Sequence, residues 1–82
     1  MNREWVLSNL REAAEELTQT ISEIEATPDY DDGEFLVAMQ HIYDHLNTAW
    51  NAREAPADRV AACSEADFFA WRQFPTDIYL GQ

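Results

Sequence analysis

The first third of the chain carries a repeating pattern of apolar positions that predicts a long helix. Between about residues 4 and 26, apolar residues recur at alternating steps of three and four, the spacing of one helix face. We call this set the leucine stripe: Leu7, Leu10, Ala14, Leu17, Ile21 and Ile24. The helix is expected to end at Thr27, because the residue before Pro28 is disfavoured in the helical conformation.

A second long helix is predicted over about residues 33–53. One of its faces carries the methionine stripe, which we define as Phe35, Met39, Ile42, Leu46 and Ala49. About 80° around the same helix lies the tyrosine stripe, which we define as Leu36, Tyr43 and Trp50. Asp31 is followed three residues later by Glu34, a pair that predicts a capping box at the start of this helix.

The rest of the chain has shorter elements and many aromatic residues. Pro56 suits the first turn of a short helix over about residues 57–62. Ser64 followed by Asp67 resembles a second capping box, which predicts another helix over about residues 65–73. Pro75 should stop this helix and leave a tail over residues 74–82.

Together these elements predict a single all-α domain over residues 1–82. Two long helices form an antiparallel hairpin in which Leu17 and Ile21 of the leucine stripe pack on the methionine stripe. A single partner helix leaves the tyrosine stripe uncovered. We therefore expect the hairpins to pair into a homodimeric four-helix bundle through that stripe. The alternative is a monomer whose aromatic C-terminal segment covers it.

The charge balance restricts the classes of partner. The chain has 16 acidic residues against 5 basic ones, all of them Arg, and a net charge of -11. Such a negative field repels nucleic-acid phosphates and anionic membranes, so neither is expected as a partner. A basic protein partner would be attracted. Simple solubility and a halophilic source remain open as other reasons for the acidity.

The sequence favours the cytoplasm. It contains one cysteine, Cys63, which cannot form a disulfide within the chain. No apolar stretch is long enough for a membrane span, and the first residues lack the apolar core of a signal peptide.

One cluster could carry metal chemistry. His41 and His45 are four residues apart on the second predicted helix, with Asp44 between them, and paired imidazoles at this spacing can hold a divalent metal. Glu34 lies on the same side of the helix two turns earlier. The order is close to a zinc-hydrolase motif, but Asp stands where that motif has Glu.

No complete catalytic set is present, so a non-enzymatic protein–protein interaction or regulatory module without a cofactor is the preferred function. Aromatic residues dominate protein interfaces. The predicted interaction surface is Leu36, Tyr43, Trp50, Phe68, Trp71 and Phe74. The alternative function is a small divalent-metal-binding protein or metal-dependent hydrolase that uses the cluster around His41.

Overall fold

The computed structural model describes residues 1–81 and contains only helices there. The helices are α1 (Arg3–Ala26), α2 (Asp32–Asn51), α3 (Ala57–Ala62) and α4 (Glu65–Arg72). The prediction of an all-helical chain with two long packed helices and shorter C-terminal ones is confirmed. Gln82, the last residue of the predicted tail, lies outside the described residues. Within residues 1–81, no helix combines the length and the apolar character that a membrane span requires.

The helix ends follow local capping signals. The Asp31 carboxylate accepts a hydrogen bond from the backbone N–H of Glu34 at 2.9 Å, and the Glu34 carboxylate accepts one from the backbone N–H of Asp31 at 3.4 Å. The predicted capping box is therefore present at the start of α2. At α4, the Ser64 hydroxyl accepts from the backbone N–H of Asp67 at 3.1 Å. α3 ends at Cys63, which adopts the left-handed conformation with φ 36°.

The two long helices meet through small and polar side chains. The buried residues of α1 and α2 are Asn9, Ala13 and Thr20, and Ile42, Asn47, Thr48 and Ala49. One polar contact crosses between the helices, where the Asn9 side-chain oxygen and His45 Nδ1 lie 3.2 Å apart. Small side chains let the helices approach closely, but they leave little apolar area buried between them.

The predicted packing of Leu17 and Ile21 on the methionine stripe is wrong. The large residues of the leucine stripe are 42–57% exposed. The methionine stripe is split: Ile42 and Ala49 are buried, whereas Phe35 is 42% and Leu46 39% exposed. On α1 the buried positions differ from the leucine stripe, since Asn9, Ala13 and Thr20 also recur at helical spacing but are polar or small.

The apolar core lies at the end of the hairpin opposite its turn. Trp71 of α4 is buried with Ala52 and Ala55, which follow α2, and Trp5 and Val60 pack against this cluster. The Trp5 and Trp71 ring centroids are 6.5 Å apart with the rings tilted by 59°. The N-terminal end of α1, the end of α2, α3 and α4 therefore share one small core.

Two asparagines of α2 hold α4 in place. The side-chain amide of Asn51 donates to the carbonyl oxygens of Trp71 at 3.0 Å and Gln73 at 2.6 Å, and that of Asn47 donates to Arg72 at 2.8 Å. The last carbonyls of a helix have no partner inside it. These bonds therefore satisfy the end of α4 and fix it against α2.

A third asparagine closes the other end of the core. The Asn2 side-chain oxygen accepts from the backbone N–H of Trp5 at 3.1 Å, and its amide donates to the Ala55 carbonyl at 2.9 Å. Its backbone N–H donates to the Arg53 carbonyl at 2.6 Å. One residue thus caps α1 and ties it to the segment after α2.

Replacing Asn51 by Ala should destabilise the fold by about 0.5–1.5 kcal/mol, because the partly buried Trp71 carbonyl loses its donor while water can reach the exposed Gln73 carbonyl. Urea unfolding followed by circular dichroism measures this loss. Gln40→Ala removes an exposed amide from the same helix and is the matched control. Equal stability of the two variants would show that the amide does not hold α4.

The contact between Arg59 and Asp67 should make stability depend on pH. A bidentate hydrogen bond from Arg59, at 3.1 and 2.7 Å, lowers the pKa of Asp67 below its ordinary 3.8. A group with a lower pKa in the folded state stabilises the fold above its unfolded pKa, and this contribution disappears as the pH falls through the folded pKa.

Asp67→Asn should therefore lower the melting temperature at neutral pH, and the difference from the unmodified chain should close in strong acid. Thermal unfolding across the acidic range tests this. Asp58→Asn removes an exposed acid from α3 and controls for the change in net charge. A difference between the two variants that persists in strong acid would assign the effect to something other than ionisation of Asp67.

Candidate functional site

The leucine stripe lies beside the interhelical contact. Leu10 and Leu17 each follow a residue of that contact, Asn9 and Glu16, by one position, and one residue turns about 100° around a helix. On α2, Leu46 likewise follows His45 by one position. On each helix, a step of one residue towards the C-terminus rotates the side-chain direction by about a quarter-turn. Because the two helices run antiparallel, this rotation brings the leucines of α1 and Leu46 of α2 to the same side of the hairpin.

The result is a set of large exposed apolar side chains on one side of the hairpin. We call it the apolar face, and it consists of Leu7, Leu10, Leu17, Ile21, Ile24, Phe35 and Leu46, each 39–57% exposed. The core around Trp71 does not extend to it. Exposed apolar surface of this kind marks sites of protein contact.

The total surface of the chain is larger than a protein of this mass normally exposes. Its accessible surface is 6110 Å², whereas the usual scaling with mass gives about 5,000 Å² for 9.5 kDa. The radius of gyration is 14.5 Å, against about 12 Å for a compact domain of this length. The excess of roughly 1,000 Å² is close to the area that one partner buries in a standard protein interface, about 800 Å².

The C-terminal segment covers part of the tyrosine stripe. The Trp50 indole N–H donates to the Asp77 carboxylate at 2.8 Å, and the Arg53 guanidinium lies 3.9 Å from the Trp50 ring centroid. Tyr43 and Leu46 line a shallow hollow together with tail residues Phe74, Pro75, Ile78 and Leu80. Leu36 remains 58% exposed. Contact with the C-terminal segment, which was the alternative to a dimer through this stripe, is thus present in the single chain.

The residues predicted for the interaction surface separate into two groups. Trp71 is only 5% exposed and belongs to the core, so its assignment to a surface is corrected. Phe68 and Phe74 are 41% and 50% exposed. The Arg72 guanidinium lies 3.5 Å from the Phe68 ring centroid. The exposed aromatic side chains of the C-terminal segment therefore lie partly on α4 and partly in the tail.

The sequence pattern predicted that the leucine stripe is buried in the core, whereas the structure exposes its large side chains. The exposed position of the leucine stripe has one signal in the sequence. A second series at helical spacing on α1 carries mainly polar and small residues: Trp5, Asn9, Ala13, Glu16 and Thr20. Such a series looks like an exposed face when polarity is the only criterion.

The four candidate metal ligands serve separate contacts. His41 Nδ1 lies 3.8 Å from the Glu16 carboxylate, and Asp44 pairs with Arg72 at 3.0 Å. His45 contacts Asn9, and Glu34 caps α2. Across residues 1–81, no three His, Cys, Asp or Glu side chains converge in a way that could hold a metal ion.

The turn between α1 and α2 is acidic. Burial is the main cause of the raised pKa of Tyr30, and the carboxylates of Glu23, Glu34 and Asp31 raise it further. The Tyr30 hydroxyl is buried and makes no hydrogen bond with other described residues. The turn end of the hairpin therefore presents concentrated negative charge.

The double change of His41 and His45 to Gln should leave the zinc content unchanged, because the two rings contact different partners. It should reduce stability by less than about 1 kcal/mol, since only the contact between His45 and Asn9 crosses a partly buried interface. Elemental analysis and melting with and without a chelator measure both effects, and His41→Gln alone is the control. Stoichiometric zinc that disappears in the double variant would restore the metal hypothesis.

The chain was compared with known proteins in three ways. No family model, no curated protein and no solved structure matched it.

Proposed function

We propose that this chain is a non-enzymatic protein–protein interaction module that works as a homodimer. The observation that carries the proposal is the exposure of the whole leucine stripe on one side of the hairpin, together with Phe35 and Leu46. A face this apolar is stable in water when a second protein surface covers it.

A second hairpin is a suitable cover for this face. Two helical hairpins that pack face to face form a four-helix bundle, an arrangement that buries stripes spaced by three and four. The excess surface of roughly 1,000 Å² matches what such a contact buries in each chain. The dimer expected through the tyrosine stripe is therefore proposed through the apolar face instead, because the tail already contacts Tyr43 and Trp50. Leu46 of the apolar face borders the same hollow as the tail, so the proposed contact depends mainly on the leucine stripe of α1.

The charge of the chain suits a role in which the dimer binds other proteins. The acidic turn lies at the end of the hairpin and stays outside a face-to-face contact. A dimer of this kind presents two acidic ends, and these attract basic protein surfaces and repel nucleic acid and anionic membranes. The location proposed for this activity is the cytoplasm.

Ile21→Glu should split the dimer. Ile21 is 57% exposed, so the charge is solvated in the single chain, whereas in the dimer it would be buried without a partner. We expect dimerisation to weaken by at least about 100-fold, equivalent to roughly 3 kcal/mol. Light scattering at several protein concentrations measures the mass, and circular dichroism verifies that the helices remain.

Ser22→Glu is the matched control, because it adds the same charge one residue away on the outer side of α1. This variant should remain a dimer. Added salt should strengthen the dimer, since it screens the repulsion between two chains of charge -11. A wild-type chain that stays monomeric at high concentration and high salt, or an Ile21→Glu variant that dimerises normally, would contradict the proposal.

A further inference from the structure

The charges of the chain are segregated along the hairpin. Residues 15–41, which form the turn half, contain eight acidic residues and no Arg or Lys. All five arginines lie in the other half, at the start of α1 and from the end of α2 onward: Arg3, Arg11, Arg53, Arg59 and Arg72. Each hairpin therefore has a strongly acidic end and an end that carries all its basic groups.

The residues of the apolar face are spaced symmetrically about one point along the length of the hairpin. The midpoint between Leu7 and Ile24 falls between residues 15 and 16, and the midpoint between Phe35 and Leu46 falls between residues 40 and 41. The contact of Glu16 with His41 at 3.8 Å shows that these two midpoints lie at the same height. Consider a two-fold axis that passes at this level, perpendicular to both helices and parallel to the plane of the hairpin. A rotation of 180° about it brings the apolar face of a second copy against that of the first.

We infer that the two copies pack apolar face to apolar face with their turns at opposite ends, so that α1 lies antiparallel to α1 of the second copy. This inference rests on the proposed dimer and specifies its arrangement. The axis places Leu7 opposite Ile24 of the second copy, Leu10 opposite Ile21, and Phe35 opposite Leu46. An isologous contact of this kind is self-complementary and closed.

The distribution of charge favours this arrangement over the other face-to-face bundle, in which both turns lie at the same end. If both turns lay at the same end, the two acidic halves would face each other. With the turns at opposite ends, the acidic half of each chain lies against the half of the other that carries the arginines. The half with the arginines also holds eight acidic residues, so its net charge is -3 against -8 for the turn half. Placing unlike halves together therefore weakens the repulsion between the two copies, and juxtaposed like charges select against the other orientation.

Thiol cross-linking tests the arrangement directly. In a Cys63→Ser background, Ala14→Cys places one thiol near the centre of the leucine stripe. The expected offset between the two copies of this residue is three positions along the helix, or about 4.5 Å, and packed helices lie about 8–10 Å apart. A short bis-maleimide should therefore link two chains through residue 14.

Ser22→Cys in the same background is the control, because its thiol lies on the outer side of α1. Cross-linking through residue 14 should exceed that through residue 22 by about tenfold or more, since thiols held together in a dimer have effective concentrations in the millimolar range. A mixture of Leu7→Cys chains and Ile24→Cys chains should give the mixed product, whereas neither variant alone should cross-link.

The mass of the protein in solution and the pattern of linked residues together distinguish the outcomes. A dimeric mass together with the links at residue 14 and between residues 7 and 24 supports the inferred arrangement. A dimeric mass without these links overturns the arrangement and leaves the proposed dimer standing. A monomeric mass for the wild-type chain overturns both, and equal cross-linking through residues 14 and 22 also overturns the arrangement because it indicates random collision.

Discussion

The fold depends on hydrogen bonds made by four asparagine side chains. Asn2 links the start of α1 to the segment after α2, and Asn9 links α1 to the middle of α2. Asn47 and Asn51 hold the end of α4 on α2. Apolar contacts are non-directional, but an amide must point at its partner. The contact between Asn9 and His45 is the one of these that joins α1 to α2, and it favours the observed pairing of their faces. Once Asn9 faces His45, the neighbouring Leu10 is turned to the side, and the rest of the leucine stripe follows it because the helix is regular.

This constraint leaves the single chain with a small core and a large uncovered face. The buried apolar residues are Ala13, Ile42, Ala49, Ala52, Ala55 and Trp71, of which four are alanines. An alanine contributes little apolar area compared with a leucine or an isoleucine. The larger apolar side chains of both long helices lie where another hairpin can reach them. The proposed dimer would give the molecule the apolar core that its single chain contains only at one end.

The sequence predicted the helices well because their ends depend on local chemistry. Pro28 and Pro75 follow helices, and the capping residues Asp31 and Ser64 begin the next ones, with the full capping box present only at Asp31. The rotation of each helix could not be predicted in the same way. α1 has two faces with helical spacing, one rich in leucine and one polar, and apolarity alone selects the leucine face for the interior. The choice depends on contacts between residues far apart in sequence, such as that between Asn9 and His45, which no local pattern reveals. The candidate site was misplaced for the same reason.

The dependence of α4 on Asn51 has a consequence for the chemical ageing of the protein. Asparagine side chains deamidate slowly to carboxylates, which accept hydrogen bonds but cannot donate them. A carboxylate at residue 51 would face the carbonyl oxygens of Trp71 and Gln73, acceptors that now receive the amide at 3.0 and 2.6 Å. The resulting repulsion would release the end of α4 and expose the buried Trp71. This modification adds about one atomic mass unit and one negative charge, and it removes the donor that holds α4 on α2.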